Sequence, residues 1–242
     1  MKQLLDAHNH PGSEFLFPSI CNGTCPEDWS LLKRIREESA ETIFPYYGLH
    51  PWFLDDYESG WLDLLTEYLN YPETAGVGEI GLDRARGNIP LNLQISVFSR
   101  QLEMAVEYSL PVEVHCVRAF GLCTDILKDI YIPSGLPFLI HSFTGSVEVM
   151  EQMAAMGGYF SFGPELLLEH RDKLRKVFKE TPLDRVLFET DSDSPDARTH
   201  LLKTVYLKGA ELRGIDMDAL QEIILNNGKV FTDRTAFGQG PS

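Results

Sequence analysis

Long apolar runs are missing from this chain of 242 residues, and none approaches the roughly 20 residues that span a bilayer. The opening stretch Met1-Lys2-Gln3-Leu4-Leu5-Asp6 meets an acid too early for a signal-peptide core, so a cytoplasmic location without membrane contact is expected. Cysteine is scarce. Cys21, Cys25, Cys116 and Cys123 are too few in a chain this long for a disulfide scaffold and are read as free thiols. Cys21 and Cys25 would supply half of a zinc site, but the second pair is missing. Positive charge is in short supply too: 21 Lys and Arg face 36 Asp and Glu, for a net charge of −15. That balance excludes a broad basic surface, so any nucleic acid has to be held at a local site against the field of the rest of the molecule. There is neither a low-complexity tract nor a linker rich in Pro, Gly and Ser. With 43% hydrophobic and 24% charged residues, the chain reads as one globular domain over 1–242, and nothing in it points to an obligate protein partner.

What the sequence does contain is a rhythm. Short apolar runs recur at 3–7, 17–21, 44–48, 75–79, 112–115, 138–141, 159–162 and 185–190. They are brief, nearly continuous and rich in aliphatic or aromatic residues, as buried parallel strands are. Between most of them lie stretches with helical spacing, such as Leu93, Val97, Leu102, Ala105 and Val106, or Val147, Met150, Met153 and Ala154. Met150, Met153 and Met156 are read as core packing. Helix starts are marked by Pro26-Glu27-Asp28, by Gly145-Ser146-Val147-Glu148, and by Thr190-Asp191-Ser192 leading to Pro195. Eight strands alternating with helices in this length predict an α/β fold, a (β/α)8 TIM barrel, with a doubly wound open sheet as the alternative. Between His10 and Phe17 there is no room for a helix, so the first βα connection is expected to be a bare loop.

Five of the seven histidines fall at or just past the carboxyl ends of the expected strands: His8, His10, His50, His115 and His141. In a barrel those ends converge on one rim, where active sites are built. Glu79, expected at the end of the fourth strand, and Asp191, just past the eighth, join them. His8 and His10 are two apart, so on an extended segment both imidazoles point the same way. Imidazoles and carboxylates suit Zn, Mn or Mg. Six such side chains, His8, His10, Glu79, His115, His141 and Asp191, exceed what one tetrahedral catalytic zinc takes and match two divalent ions sharing a carboxylate. His170 and His200, on expected helical segments, are read as solvated, as are the acidic pairs Glu37-Glu38 and Asp55-Asp56.

The ordered motifs then carry a family resemblance. Asp6-Ala7-His8-Asn9-His10 resembles an opening D-x-H-x-H, Gly48-Leu49-His50-Pro51 a G-x-H-P segment, and Gly78-Glu79-Ile80-Gly81-Leu82-Asp83 a G-E-I-G-L-D run. Phe98-x-x-Gln101-Leu102-x-x-Ala105, Pro111-Val112-Glu113-Val114-His115-Cys116, His141-Ser142-Phe143-Thr144-Gly145-Ser146, Glu189-Thr190-Asp191 and Asn226 with Phe231 continue the series. Over nearly its whole length the chain resembles the TatD family of metal-dependent deoxyribonucleases, in the amidohydrolase-like barrel superfamily. The resemblance implies a two-metal hydrolase with the same six ligands. It departs from the family at Pro11-Gly12 after the H-x-H and at Arg84-Ala85-Arg86-Gly87 after the G-E-I-G-L-D, both of which would lie on the substrate rim.

The expected activity is therefore metal-assisted hydrolysis of phosphodiester bonds in DNA, with Asp191 as general base and Glu79 bridging the ions. His50, Arg118 and Arg84 are the expected phosphate contacts, with Arg86 further out. Two other readings compete: hydrolysis of an amide, ester or lactone on the same barrel, and a catalytically idle binding module.

Overall fold

The structure is a computed structural model that describes residues 3–12, 17–39, 43–55, 60–86, 88–192 and 195–233. Eight strands, β1 (Asp6–Asn9), β2 (Ser19–Gly23), β3 (Ile43–Tyr47), β4 (Gly76–Asp83), β5 (Val112–Val117), β6 (Phe138–Ile140), β7 (Gly158–Phe162) and β8 (Val186–Phe188), form one sheet in sequence order. Every neighbouring pair from β1 to β8 is parallel. The sheet curls until its two ends meet. Just past β8, the Asp191 N–H donates to the His8 carbonyl at 3.0 Å, and the His10 N–H donates to the Ser192 carbonyl at 3.3 Å. Asp6 adds a side-chain tie across the same seam, accepting from the Thr190 N–H at 3.0 Å and its hydroxyl at 2.7 Å.

Helices α1 (Pro26–Glu38), α2 (Trp61–Leu69), α3 (Leu91–Glu107), α4 (Phe120–Ile126), α5 (Val147–Ala154), α6 (Asp172–Glu180), α7 (Pro195–Arg213) and α8 (Met217–Thr232) surround it. The eight-stranded TIM barrel expected from the sequence is thus the fold. Local chemistry sets the ends of the helices: Pro26 and Pro195 occupy first positions, and the Ser146 hydroxyl accepts from the Val149 N–H as the cap of α5. Of the connection from β1 to β2, residues 10–12 and 17–18 carry no helix; residues 13–16 of the expected bare loop lie outside the described residues. Among the described residues, no helix is long and apolar enough to cross a membrane.

The main core lies between sheet and helices. Phe162 of β7, Phe178 of α6, Phe188 of β8 and Tyr206 of α7 form a chain of ring contacts with centroids 4.8–5.7 Å apart. Met150 and Met153 are buried on α5 as expected, and Met156 packs against the same core. Phe231 of α8 lies between Tyr46 of β3 and Tyr159 of β7, on opposite sides of the barrel, and covers the end away from the histidines. All four cysteines are free thiols.

Two expectations need correction. Glu79 does not end its strand, because β4 runs on to Asp83. His170 sits in a turn before α6 rather than on a helix, though it is exposed as expected.

Candidate metal centre

The glycines of β4 allow the site to assemble. A Cβ on Gly78 would meet Asn22 Oδ1 at 2.6 Å and Glu113 Cβ at 2.9 Å. One on Gly81, whose φ is +149°, would overlap the His115 carbonyl oxygen at 2.0 Å. Only glycine lets β4 approach β2 and β5 this closely. The result is that Glu79, 3% exposed, lies among imidazoles: its Oε1 is 2.7 Å from His141 Nε2, 2.8 Å from His115 Nδ1 and 3.3 Å from His50 Nε2. Its Oε2 is 3.6 Å from His8 Nε2 and 3.9 Å from His10 Nε2. Asp191 enters from the seam, with Oδ1 3.3 Å from His10 Nε2 and 3.5 Å from His8 Nε2. Its φ of +49° is a left-handed conformation just beyond β8, and Arg118 and Ser142 adopt the same conformation just beyond β5 and β6.

Behind these side chains stands a second set of carboxylates. Glu113, fully buried on β5, holds His8 Nδ1 at 2.6 Å and accepts from Asn22 Nδ2 at 2.8 Å. Asp83 Oδ2 is 3.2 Å from His115 Nε2 and accepts from the Trp52 indole N–H at 2.6 Å. Each fixes the far nitrogen of an imidazole and turns the near one towards Glu79, an arrangement that orients metal ligands and raises their basicity. Two glutamines of α3 brace the loops. Gln101 bonds both backbone groups of Leu49, and Gln94 bonds both of Asp83.

Charge follows geometry. Burial opposes ionisation of His8, but Glu113 and Glu79 reverse this and hold its pKa well above the usual imidazole value. Burial likewise opposes the charge on His115, while bonds to Asp83 and Glu79 carry it up to about 9. Glu79 and Asp191, despite burial, are held well below the carboxylate range by the imidazoles around them. His50 goes the other way: burial takes it down to about 4. Its Nδ1 accepts from the Trp52 backbone N–H at 3.2 Å, so the neutral ring carries its proton on Nε2, which faces Glu79 Oε1 at 3.3 Å on the cavity wall.

Among the described residues, three groups of donor atoms each lie within 4.8 Å of one another: His8, Glu79 and His141; His8, His10 and Asp191; and His50, Glu79 and His115. His8 Nε2, which faces Glu79 and Asp191, is buried with no hydrogen-bond partner, as a nitrogen reserved for a cation would be. Nitrogen and carboxylate donors in this number fit divalent ions. The third group is the weakest, because the proton on His50 Nε2 blocks the nitrogen that would ligate. The sequence-derived residues His8, His10, Glu79, His115, His141 and Asp191 therefore converge, and all but His8 line a cavity of about 480 Å3 with Thr24, Asp28, His50, Trp52 and Phe53. Arg84 and Arg118 do not line it and are exposed; Arg86 lies over the Trp52 ring, 3.6 Å from its centroid.

Sequence reasoning gave no role to Glu113, Asp83 or Asn22. For Glu113 there was a signal: it is the one acid in the apolar run of β5, and strand alternation puts it on the same face as His115. Glu113→Gln is expected to weaken divalent-ion binding by roughly 10–100-fold. Competition with a chromophoric chelator measures this; unchanged affinity would mean that the carboxylate does not orient His8.

The comparisons with known proteins agree with this geometry. The family described as TatD related DNase matches residues 14–232. The chain is 30% identical over 202 residues to an uncharacterized metal-dependent hydrolase, YabD, of Bacillus subtilis, covering 79% of this chain and 78% of that protein. It is 31% identical over 199 residues to the 3'-5' ssDNA/RNA exonuclease TatD of Erwinia amylovora, covering 77% and 76%. The crystal structure of YJJV, a TatD homologue from Escherichia coli, superposes with a TM-score of 0.81 at 24% identity, over 95% of this chain and 97% of that one. A barrel whose histidines and acids gather at the strand ends, matched by one family along almost all of its length, leaves a single assignment: the chain belongs to the TatD family of metal-dependent hydrolases.

Proposed function

We propose that this hydrolase is a nuclease that cuts phosphodiester bonds at the ends of single-stranded DNA, with two divalent ions held by His8, His10, Glu79, His115, His141 and Asp191. The observation that carries the reading is the crowding of those donors around one buried carboxylate at the floor of an open cavity. Divalent ions, when bound, make a water acidic enough to give up its proton near neutral pH and offset charge on the phosphoryl oxygens. Glu79 belongs to two of the three donor groups and faces the His8 and His10 nitrogens of the other, so it is the carboxylate that would hold both ions. Asp191, ionised and with a side chain 43% exposed at the seam, takes the proton of the attacking water. His50 donates from Nε2 to a phosphoryl oxygen, and the buried ring stays neutral while doing so. Arg84 and Arg118, exposed beyond the cavity, would meet phosphates further along a bound strand.

The substrate preference follows from charge. A net charge of −15 repels a long duplex, whereas a chain end brings few phosphates to the surface. A linear single-stranded oligonucleotide is therefore expected to be cut faster than a covalently closed plasmid, with only a shallow loss of rate as salt rises. Rates on both, at two salt concentrations with Mg, Mn or Zn added, test this. Equal rates or a steep salt dependence would reveal an extended binding surface, and activity on an amide or ester with neither nucleic acid cut would transfer the site to another bond.

A further inference from the structure

Trp52 is an anomaly at the cavity wall. Among the described residues it is one of four exposed large hydrophobic side chains, at 37%, and the one of these that lines the cavity. The other two tryptophans, Trp29 and Trp61, are buried. The indole is also held. Its N–H donates to Asp83 Oδ2, and Asp83 Oδ1 accepts from the backbone N–H of Ala85 at 2.7 Å and of Arg86 at 3.3 Å. One carboxylate thus fixes both the ring and the loop that lays the Arg86 guanidinium over it, 3.6 Å from the centroid. His50 and His115 meet the ring nearly edge-on, with interplanar angles of 88° and 75°. A flat aromatic and a flat cation are therefore pinned together, beside the donors that would hold the reacting phosphate.

We propose that Trp52 and Arg86 form a nucleobase subsite, which stacks the base next to the scissile phosphate and sets that phosphate over the donor cluster. The inference rests on the nuclease reading above and deepens it. Stacking on an aromatic ring accepts any base, since every base has a π-face, and a guanidinium plane adds both a stacking surface and charge for the adjoining phosphate. The subsite would then select for a base without selecting which one. It also requires an unpaired nucleotide, because a base inside a duplex has both faces covered by its neighbours.

The test uses single-stranded oligonucleotides that carry, at the cleaved end, either normal nucleotides or one abasic nucleotide flanking the first scissile bond. Initial rates give KM and kcat for the wild type, Trp52→Ala, Trp52→Phe and Arg86→Ala, with circular dichroism confirming that each variant is folded. The wild type is expected to lose roughly tenfold to a hundredfold in kcat/KM on the abasic oligonucleotide, mainly through KM, the range that stacking on an aromatic spans. Trp52→Ala should cost as much on the normal oligonucleotide and little more on the abasic one, and Arg86→Ala should fall between. Trp52→Phe keeps a stacking face but loses the indole N–H, and should retain most of the discrimination. Equal losses for Trp52→Ala on both substrates would overturn the proposal and leave the ring a brace for Asp83, as would a Phe variant no better than the Ala one. A wild type that ignores the missing base would refute the subsite while sparing the nuclease reading. A wild type that cuts neither oligonucleotide would refute that reading, and the subsite with it.

Discussion

Asp191→Asn is expected to lower kcat by about 10²–10⁴-fold at saturating metal, the usual contribution of a general base. The substitution is unusually clean at this position. Asp191 has a φ of +49°, and asparagine is one of the few residues besides glycine that adopts this conformation readily, so the backbone is not disturbed. The amide also fills the carboxylate's volume beside His8 and His10 but cannot take a proton from water. Circular dichroism should therefore match the wild type while single-turnover rates fall. Activity within a few-fold of wild type would put the base elsewhere. Asp191→Ala is the poorer experiment, because it mixes lost chemistry with backbone strain.

The second large effect is expected at Glu79. Its carboxylate touches His50, His115 and His141 and faces His8 and His10, so five imidazoles share one negative charge. Glu79→Gln keeps the shape and removes that charge, together with one of the two carboxylates proposed to hold metal. Elemental analysis of the variant should find fewer than the two ions per chain expected for the wild type. Activity should fall by more than the 10–100-fold typical when a group merely supporting a ligand is lost. His115→Ala and His141→Ala should likewise lose metal while remaining folded. Full metal content in all three variants would remove these residues from the ligand set.

The strand rhythm made the barrel legible because parallel strands buried on both faces leave continuous apolar runs. The histidines were legible for a related reason: a charged or polar group that closes such a run has to sit on the rim. What local pattern could not give was pairing at long range. His8 and Glu113 are 105 residues apart, and His115 and Asp83 are 32 apart; only the barrel's register brings either pair together. Glu79 was expected at a strand end because the apolar run read from the sequence stopped at 79, whereas β4 continues through Gly78 and Gly81. Those glycines are where β4 squeezes past Asn22 and the His115 backbone and continues to Asp83. Helical spacing assigns Gln94 and Gln101 no partner, yet both are buried, because they satisfy the backbone groups of Asp83 and Leu49.

The seam between β1 and β8 bears on how the molecule assembles. Its closing hydrogen bonds join residues 182–184 apart in the chain, and three of the donors, His8, His10 and Asp191, straddle it. Those three cannot come together until nearly the whole polypeptide has been threaded round the barrel, so the site belongs to the latest contacts to form. A cation gripped there would act as a clasp on the two ends of the sheet, binding only the closed ring and favouring it by mass action. Loading would then report completed folding, and a chain halted before its last strand would carry most of the histidines yet have nothing with which to hold them shut.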